Sequence, residues 1–222
     1  MARTYTHIFA FDAYGTIFDV HSAIDELRSV MGPDADRMSE IWRAKQLEYT
    51  WTLTLAGHYT DFWTLTDRAL DFALARVPSV PNDLKPALLD AYTRLKAFSE
   101  AKSALQKLQI GGHKTCILSN ASPAMLQYAI DYADLGQHFD AVLSVDKLKM
   151  FKTRPEVYAM VTDHYKCAPS NVSLVSSNRW DIMAGKSFGF RPLWVNRANM
   201  PDEYLDFPPA QTFSDLAPIG DL

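Results

Sequence analysis

A short apolar run, Ile8 to Phe11, stops at a carboxylate, Asp12, and Gly15 then frees the chain to turn away. The run carries Phe and Ile and reads as a buried strand. In an open α/β sheet, ligands bind outside the carboxyl ends of the strands. A carboxylate placed there can attack carbon or phosphorus and form a covalent intermediate. Taken by itself, an Asp after a strand is more often a turn or cap residue. The rest of the chain decides between these readings.

From about residue 98 onward, strand and helix patterns alternate. A helix over Ala101 to Leu108 leads through Gly111-Gly112 to a strand from Lys114 to Leu118. Then come a helix Pro123 to Tyr132, a strand Ala141 to Val145 and a helix Pro155 to Tyr165. A strand Val172 to Val175, a helix Trp180 to Phe188 and a strand Pro192 to Val195 complete the series. Repeated β-α units of this kind predict a parallel, doubly wound sheet. The tail around Pro208-Pro209 reads as an irregular surface segment.

Between the first strand and this series the pattern is helical. Four helices are expected: Ser22 to Met31 with Ser22 as its cap, Asp34 to Thr52, Thr60 to Val77, and one capped by Asn82. The last carries Leu84, Leu88, Ala91, Tyr92 and Leu95 along one side. The block is expected to be an insert over the strand ends. Residues 1–19 and 98–222 then form the α/β core, and residues 20–97 a helical cap subdomain.

Composition narrows the partners. Hydrophobic residues make up 48% of 222, enough for a proper core, and the net charge is −4. With no basic stripe, nucleic acid is not an expected partner. No apolar run reaches the ~20 residues a membrane helix needs. Two cysteines, Cys116 and Cys167, do not make a disulfide framework. The first strand leaves no room for a leader before it, so a cytoplasmic protein is expected.

Polar residues recur at the expected strand ends: Asp12, Ser119-Asn120, and Ser176, Asn178 and Asp181. Lys152 follows the fourth such end after a loop. Each cluster alone would be ordinary turn chemistry. Four on one sheet edge converge on one crevice.

The string Asp12-Ala13-Tyr14-Gly15-Thr16-Ile17-Phe18-Asp19-Val20 resembles the first motif of the haloacid dehalogenase superfamily, in particular of the L-2-haloacid dehalogenases. Phosphatases of that superfamily carry a second Asp at position 14, as acid and base on the phosphate ester. Here the position holds Tyr14, whose phenol, with a reference pKa of about 10, is a poor proton shuttle near neutral pH. The resemblance runs through Trp42-Arg43-Ala44-Lys45, Phe151-Lys152-Thr153-Arg154-Pro155-Glu156-Val157-Tyr158 and Val175-Ser176-Ser177-Asn178-Arg179-Trp180-Asp181 to the end of the chain.

The resemblance implies Asp12 as nucleophile, oriented by Thr16. It implies Arg43, Asn120 and Trp180 as a halide cradle, and Ser119 as the holder of the substrate carboxylate. Lys152 and Tyr158 match a catalytic pair, with Ser176 and Tyr158 orienting Lys152 or Asp12. Asp181 matches the general base of ester hydrolysis, with Asn178 and Thr16 positioning the water. Tyr14, Leu47, Phe62 and Trp180 match the apolar wall around the substrate carbon. The implied reaction converts a small L-2-haloalkanoic acid and water into a D-2-hydroxy acid and halide. It needs no metal or cofactor, and the family implies a homodimer. Two positions depart: Thr153 stands where Pro is usual, and Arg179 stands at a usually small position, where it is expected to narrow the pocket or recruit another anion. A magnesium-dependent phosphatase of the same fold, a hydrolase of non-halogenated substrates and a silent binding protein remain as alternatives.

Overall fold

The computed structural model describes residues 7–222. β1 (Ile8–Phe11) is buried along its whole length. A 3-10 turn (Val20–Ile24) and the helices α1 (Arg28–Met31), α2 (Ala35–Leu55), α3 (Phe62–Arg76) and α4 (Lys85–Tyr92) follow. The chain then alternates through α5 (Ala101–Ile110), β2 (Lys114–Ser119), α6 (Pro123–Tyr132) and β3 (Ala141–Ser144). It ends with α7 (Pro155–Tyr165), β4 (Val172–Ser176), α8 (Arg179–Phe188), β5 (Arg191–Val195) and β6 (Gln211–Phe213).

The strands form one six-stranded sheet in the order β3-β2-β1-β4-β5-β6, with every pair parallel. Helices on both faces explain why β1 and β4 are buried along their whole length instead of alternating, although β4 carries Ser173 and Ser176. Register fixes where the strands stop. Phe11 lies opposite both Ile117 and Val175, and Ser119 opposite Ser144. Asp12 therefore emerges beside Leu118-Ser119 on one flank and Ser176 on the other, and its N–H still donates to Val175 O at 2.9 Å.

In the helical insert, α2 and α3 pack against each other. Met38, Trp42 and Gln46 recur four apart on the buried stripe of α2. Buried polar groups on this seam are paired: Trp42 Nε1 donates to Thr66 O at 2.8 Å and Gln46 Nε2 to Thr66 Oγ1 at 2.9 Å.

Three local expectations are corrected. The segment from Ser22 to Met31 is a 3-10 turn followed by a single α-helical turn. Its cap is Asp19, which accepts from His21 N–H, while Ser22 Oγ accepts from Lys96 N–H and ties the start of the insert to its end. Asn82 opens a 3-10 turn and gives no side-chain cap, so α4 starts at Lys85. The tail is not wholly irregular, because β6 adds a sixth strand: Ala210 N–H donates to Pro192 O and Asn196 N–H to Phe213 O. Among the described residues, no helix is long and apolar enough to cross a membrane.

Candidate active site

The turn after β1 is tight. Gly15 N–H donates to Phe18 O at 2.7 Å, and its φ of +96° lies where a side chain is strained. This turn brings Thr16 back over Asp12. Thr16 Oγ1 donates to Asp12 Oδ2 at 3.0 Å and accepts Ser177 N–H at 2.8 Å, locking the β1 and β4 ends together. Asn178, the residue before α8, donates from Nδ2 to the same Asp12 Oδ2 at 2.8 Å. Lys152 enters from the loop after β3. Its Nζ donates to Asp12 Oδ1 at 3.1 Å and to Asp181 Oδ2 at 2.8 Å.

Two further bonds set the loop and the second acid. Lys152 N–H donates to Asn120 Oδ1 at 2.9 Å, which fixes the backbone from which the ammonium reaches inward. Tyr158 OH donates to Asp181 Oδ1 at 2.7 Å. Tyr158 and Ser176 thus act on neighbours other than those anticipated. Tyr158 holds Asp181, and Ser176 Oγ accepts Asn178 N–H at 3.1 Å. Both steer the triad of Asp12, Lys152 and Asp181 from one residue away.

Burial sets the charges. Burial disfavours the Lys152 ammonium, but the charges of Asp12 and Asp181 outweigh it and hold its pKa above the ordinary lysine value. Burial pushes the Asp181 carboxyl above the usual carboxylate range; Lys152 partly offsets the rise and the Asp12 charge adds to it. Burial, with the Asp181 charge, also raises the Tyr158 phenol well above its ordinary value. Tyr158 therefore stays a donor.

Over Asp12 lies a cleft of only about 10 Å³, roughly the room one water needs. Asp12, Ser119, Asn120 and Asn178 line it from the sheet edge. Arg43 and Leu47 from α2, Phe62 from α3, Tyr14 and Trp180 close it. Arg43 Nη2 donates to Tyr14 O at 2.9 Å, whereas Nη1 is buried with no partner. A buried guanidinium nitrogen without an acceptor, at the wall of a cleft, is a place for an anion. Ser119 Oγ accepts Ala121 N–H at 3.1 Å, so its own proton is free to turn toward the cleft.

Arg179 departs from what its sequence position suggested. It does not enter the cleft. Its Nε donates to Asp202 Oδ1 at 2.6 Å, and its Nη2 to Tyr204 O at 2.8 Å and Phe207 O at 2.9 Å. It is a strut for the segment between β5 and β6. Two residues of the site had no role assigned from sequence. Arg197 Nη2 donates to Thr16 O at 3.1 Å, and Tyr92 stacks on Tyr14 with ring centroids 5.8 Å apart. Arg197 follows a strand end, the same signal that marks Asp12 and Asn120. Tyr92 gave no signal beyond an apolar helix stripe.

The haloacid dehalogenase-like hydrolase family model matches residues 6–189. The chain is 43% identical to (S)-2-haloacid dehalogenase 1 of Pseudomonas sp. strain CBS-3, over 96% of this chain and 94% of that one. It is 41% identical to (S)-2-haloacid dehalogenase 4A of Burkholderia cepacia, over 94% and 92%. Among solved structures, it superposes with a TM-score of 0.90 and 32% identity on the L-2-haloacid dehalogenase of Xanthobacter autotrophicus with chloropropionic acid covalently bound, covering 98% of each chain.

Proposed function

The chain belongs to the (S)-2-haloacid dehalogenases, within the haloacid dehalogenase-like hydrolases, and on that premise we propose that it hydrolyses L-2-haloacids to D-2-hydroxy acids through an ester on Asp12. One observation carries the reading. A buried carboxylate held by Lys152 faces, across one narrow cleft, a guanidinium nitrogen with no partner.

The hydrogen bonds distinguish the two oxygens of Asp12. Oδ2 accepts from Thr16 and Asn178, which fills its lone pairs, while Oδ1 accepts only from Lys152. Oδ1 is therefore the attacking atom. It displaces the halogen from the carbon next to the substrate carboxylate, from the opposite side, so the configuration inverts. Attack of one carboxylate beside another is electrostatically unfavourable, and Lys152 offsets that repulsion. Ser119 and the backbone amides beside Ser119-Asn120, at the cleft wall, receive the substrate carboxylate. Arg43, Asn120 and the Trp180 ring receive the leaving halide.

In the second step a water attacks the Asp12 carboxyl carbon. Charge grows on Oδ2, where Thr16 and Asn178 already donate. Asp181 takes the proton of the water through a remaining lone pair, and its raised pKa suits a base. The bond from the carboxyl carbon to Oδ1 breaks, and the departing alkoxide takes up the proton that Asp181 received, passed through Lys152 between them. The hydroxy acid leaves with Asp12 restored as a carboxylate. The helices of residues 20–97 act as the cap that supplies Arg43, Leu47 and Phe62. Tyr14, and an ammonium already seated between the two carboxylates, weigh against phosphoryl transfer. Both cysteines are free thiols, which supports a cytoplasmic location.

The test is halide release from separate L- and D-2-chloropropionate with EDTA present, beside p-nitrophenyl phosphate with magnesium. Halide from the L form alone, with D-lactate as product, is expected. Phosphate release without halide would overturn the reading.

A further inference from the structure

Tyr14 separates two cavities. On one side is the cleft over Asp12; on the other is an apolar chamber of about 430 Å³. Trp63, Tyr92, Met125 and Tyr128 wall the chamber with Tyr14, and Ala124 stands in its exposed mouth. The two cavities run along the same segments. Phe62 lines the cleft and its neighbours Asp61 and Trp63 the chamber; Ala121 lines the cleft and Ser122 the chamber. Tyr14 is the partition common to both.

The Tyr14 ring is buried and packed on Phe18, Phe62 and Tyr92, with centroids 6.1, 6.2 and 5.8 Å away, so packing holds the partition more than its hydroxyl does. The Tyr14 hydroxyl donates to Met125 O at 3.4 Å, a long bond, and its ring lies 10° from parallel to Tyr92. The one carboxylate on the chamber wall is not a free charge facing it. Asp61 caps α3, accepting from Thr64 N–H at 3.0 Å and Thr64 Oγ1 at 2.7 Å. The chamber therefore suits an apolar occupant.

We propose that this chamber is the tail site for 2-haloacids with straight chains longer than that of 2-halopropionate. The inference rests on the reaction proposed above. With the reacting carbon over Asp12, the carboxylate toward Ser119 and the halogen toward Arg43, the remaining substituent points at Tyr14 and Phe62. A closed cleft with room for about one water has to widen for any 2-haloacid, and Tyr14 is the wall it shares with the chamber. A turn of the Tyr14 side chain joins the cleft to the chamber, and because the chamber opens to solvent, its length does not cap the chain. The protein is thus assigned to longer alkyl acids as well as to the shortest ones.

Methylenes buried there should each raise kcat/KM by about threefold. Bromide release is compared for L-2-bromopropionate and L-2-bromohexanoate in the unaltered protein and in Ala124→Trp, which fills the exposed mouth. The substitution is expected to cut kcat/KM for the hexanoate at least tenfold and leave the propionate within about twofold. Equal losses on both substrates would overturn the tail site and mark the chamber as a common entrance. Binding of propionate, hexanoate and octanoate to the unaltered protein, followed by tryptophan fluorescence through Trp63, tests the chamber without turnover. Affinity rising with chain length supports it, and a flat series overturns it. Bromide release from neither substrate, with chain-length-dependent binding intact, would remove the dehalogenase reading and leave the tail site standing.

Discussion

Lys152 Nζ lies 2.8 Å from Asp181 Oδ2, and neither side chain has any exposed surface. The same ammonium reaches Asp12 at 3.1 Å, so one buried cation serves two buried anions. Lys152→Met keeps the apolar stem and removes only the charge. Two carboxylates are then left facing each other, and breaking a buried pair this way costs about 3–5 kcal/mol. For a chain of this size that is a fall in Tm of roughly 10 °C. Without the ammonium, the rise that burial imposes on the Asp181 carboxyl is no longer offset, and its folded pKa lies above its unfolded one. Its contribution to stability is then present at low pH and lost as pH rises. Melts at pH 5 and pH 8 should show the larger loss at pH 8, together with no halide release. Equal losses at the two pH values would mean that Lys152 is not the counter-ion.

The pH profile follows from the same pair. Turnover needs Asp181 ionised and Lys152 protonated. Burial lifts the Asp181 carboxyl, so the acid limb of kcat should fall above the ordinary carboxylate value of about 3.9. The two carboxylates overcome burial and lift Lys152, so the alkaline limb should lie beyond the ordinary lysine value of about 10.4. Stability tracks Lys152 in the same direction: its contribution is complete below about 10.4 and is lost as pH rises through its higher folded value. Asp181→Asn should stop the second step alone. A burst of about one halide per chain without hydroxy acid is the expected signature of a trapped ester. Steady halide release from this variant would remove Asp181 from the role of base.

The sheet edge was legible because buried parallel strands leave continuous apolar runs, and the residue types that follow them are few. Asp12, Asn120, Lys152 and Asn178 could be placed on one crevice from that pattern alone. The resemblance, not the periodicity, singled out Arg43, which among the charges of α2 has no local mark. What stayed hidden depends on tertiary geometry. β6 has three residues, with Gln211 and Thr212 exposed, so neither length nor alternation announces it. Arg179 looked like a pocket residue because its neighbours are. A helix start sends successive side chains about 100° apart, however, and the one between Asn178 and Trp180 turns toward the tail. The pairing of Tyr158 with Asp181 instead of Lys152 is decided by side-chain placement within one buried cluster, which spacing cannot resolve.

Arg179 offers a direct test of its corrected role. Its guanidinium supplies the donors for Asp202, Tyr204 O and Phe207 O, and it lies against the Trp194 and Tyr204 rings. Arg179→Ala leaves those acceptors partly buried without donors, at a cost of about 2–3 kcal/mol. Tm should fall by roughly 5–10 °C. Lys, a point charge without the fork, should recover less than half of that. Halide release at saturating substrate should change less than twofold, because no atom of Arg179 lines the cleft. A large loss of kcat with Tm unchanged would return Arg179 to the pocket.

Gly185 sits one helical turn after Asp181, on the face of α8 that packs against β4. A Cβ there would overlap Leu174 Cδ2 and meet Leu174 Cβ and Cγ at 3.5 Å. Leu174 is fully buried and has little freedom to retreat. Gly185→Ala gains about 1 kcal/mol of helix propensity and loses about 1–3 to overpacking, so net stability should change little. The consequence falls on position. Relieving the overlap lifts α8 from the sheet, and Asp181 moves away from Lys152 with it. The expected result is a fall in kcat of about tenfold, typical of a misplacement near 1 Å, with Tm within a few degrees. Leu174→Val removes the overlapping methyl, and the double variant should regain most of the lost rate. Such non-additivity is the mark of two residues sharing one contact. If the double variant is as slow as Gly185→Ala alone, the rate was not limited by the seating of α8 on β4.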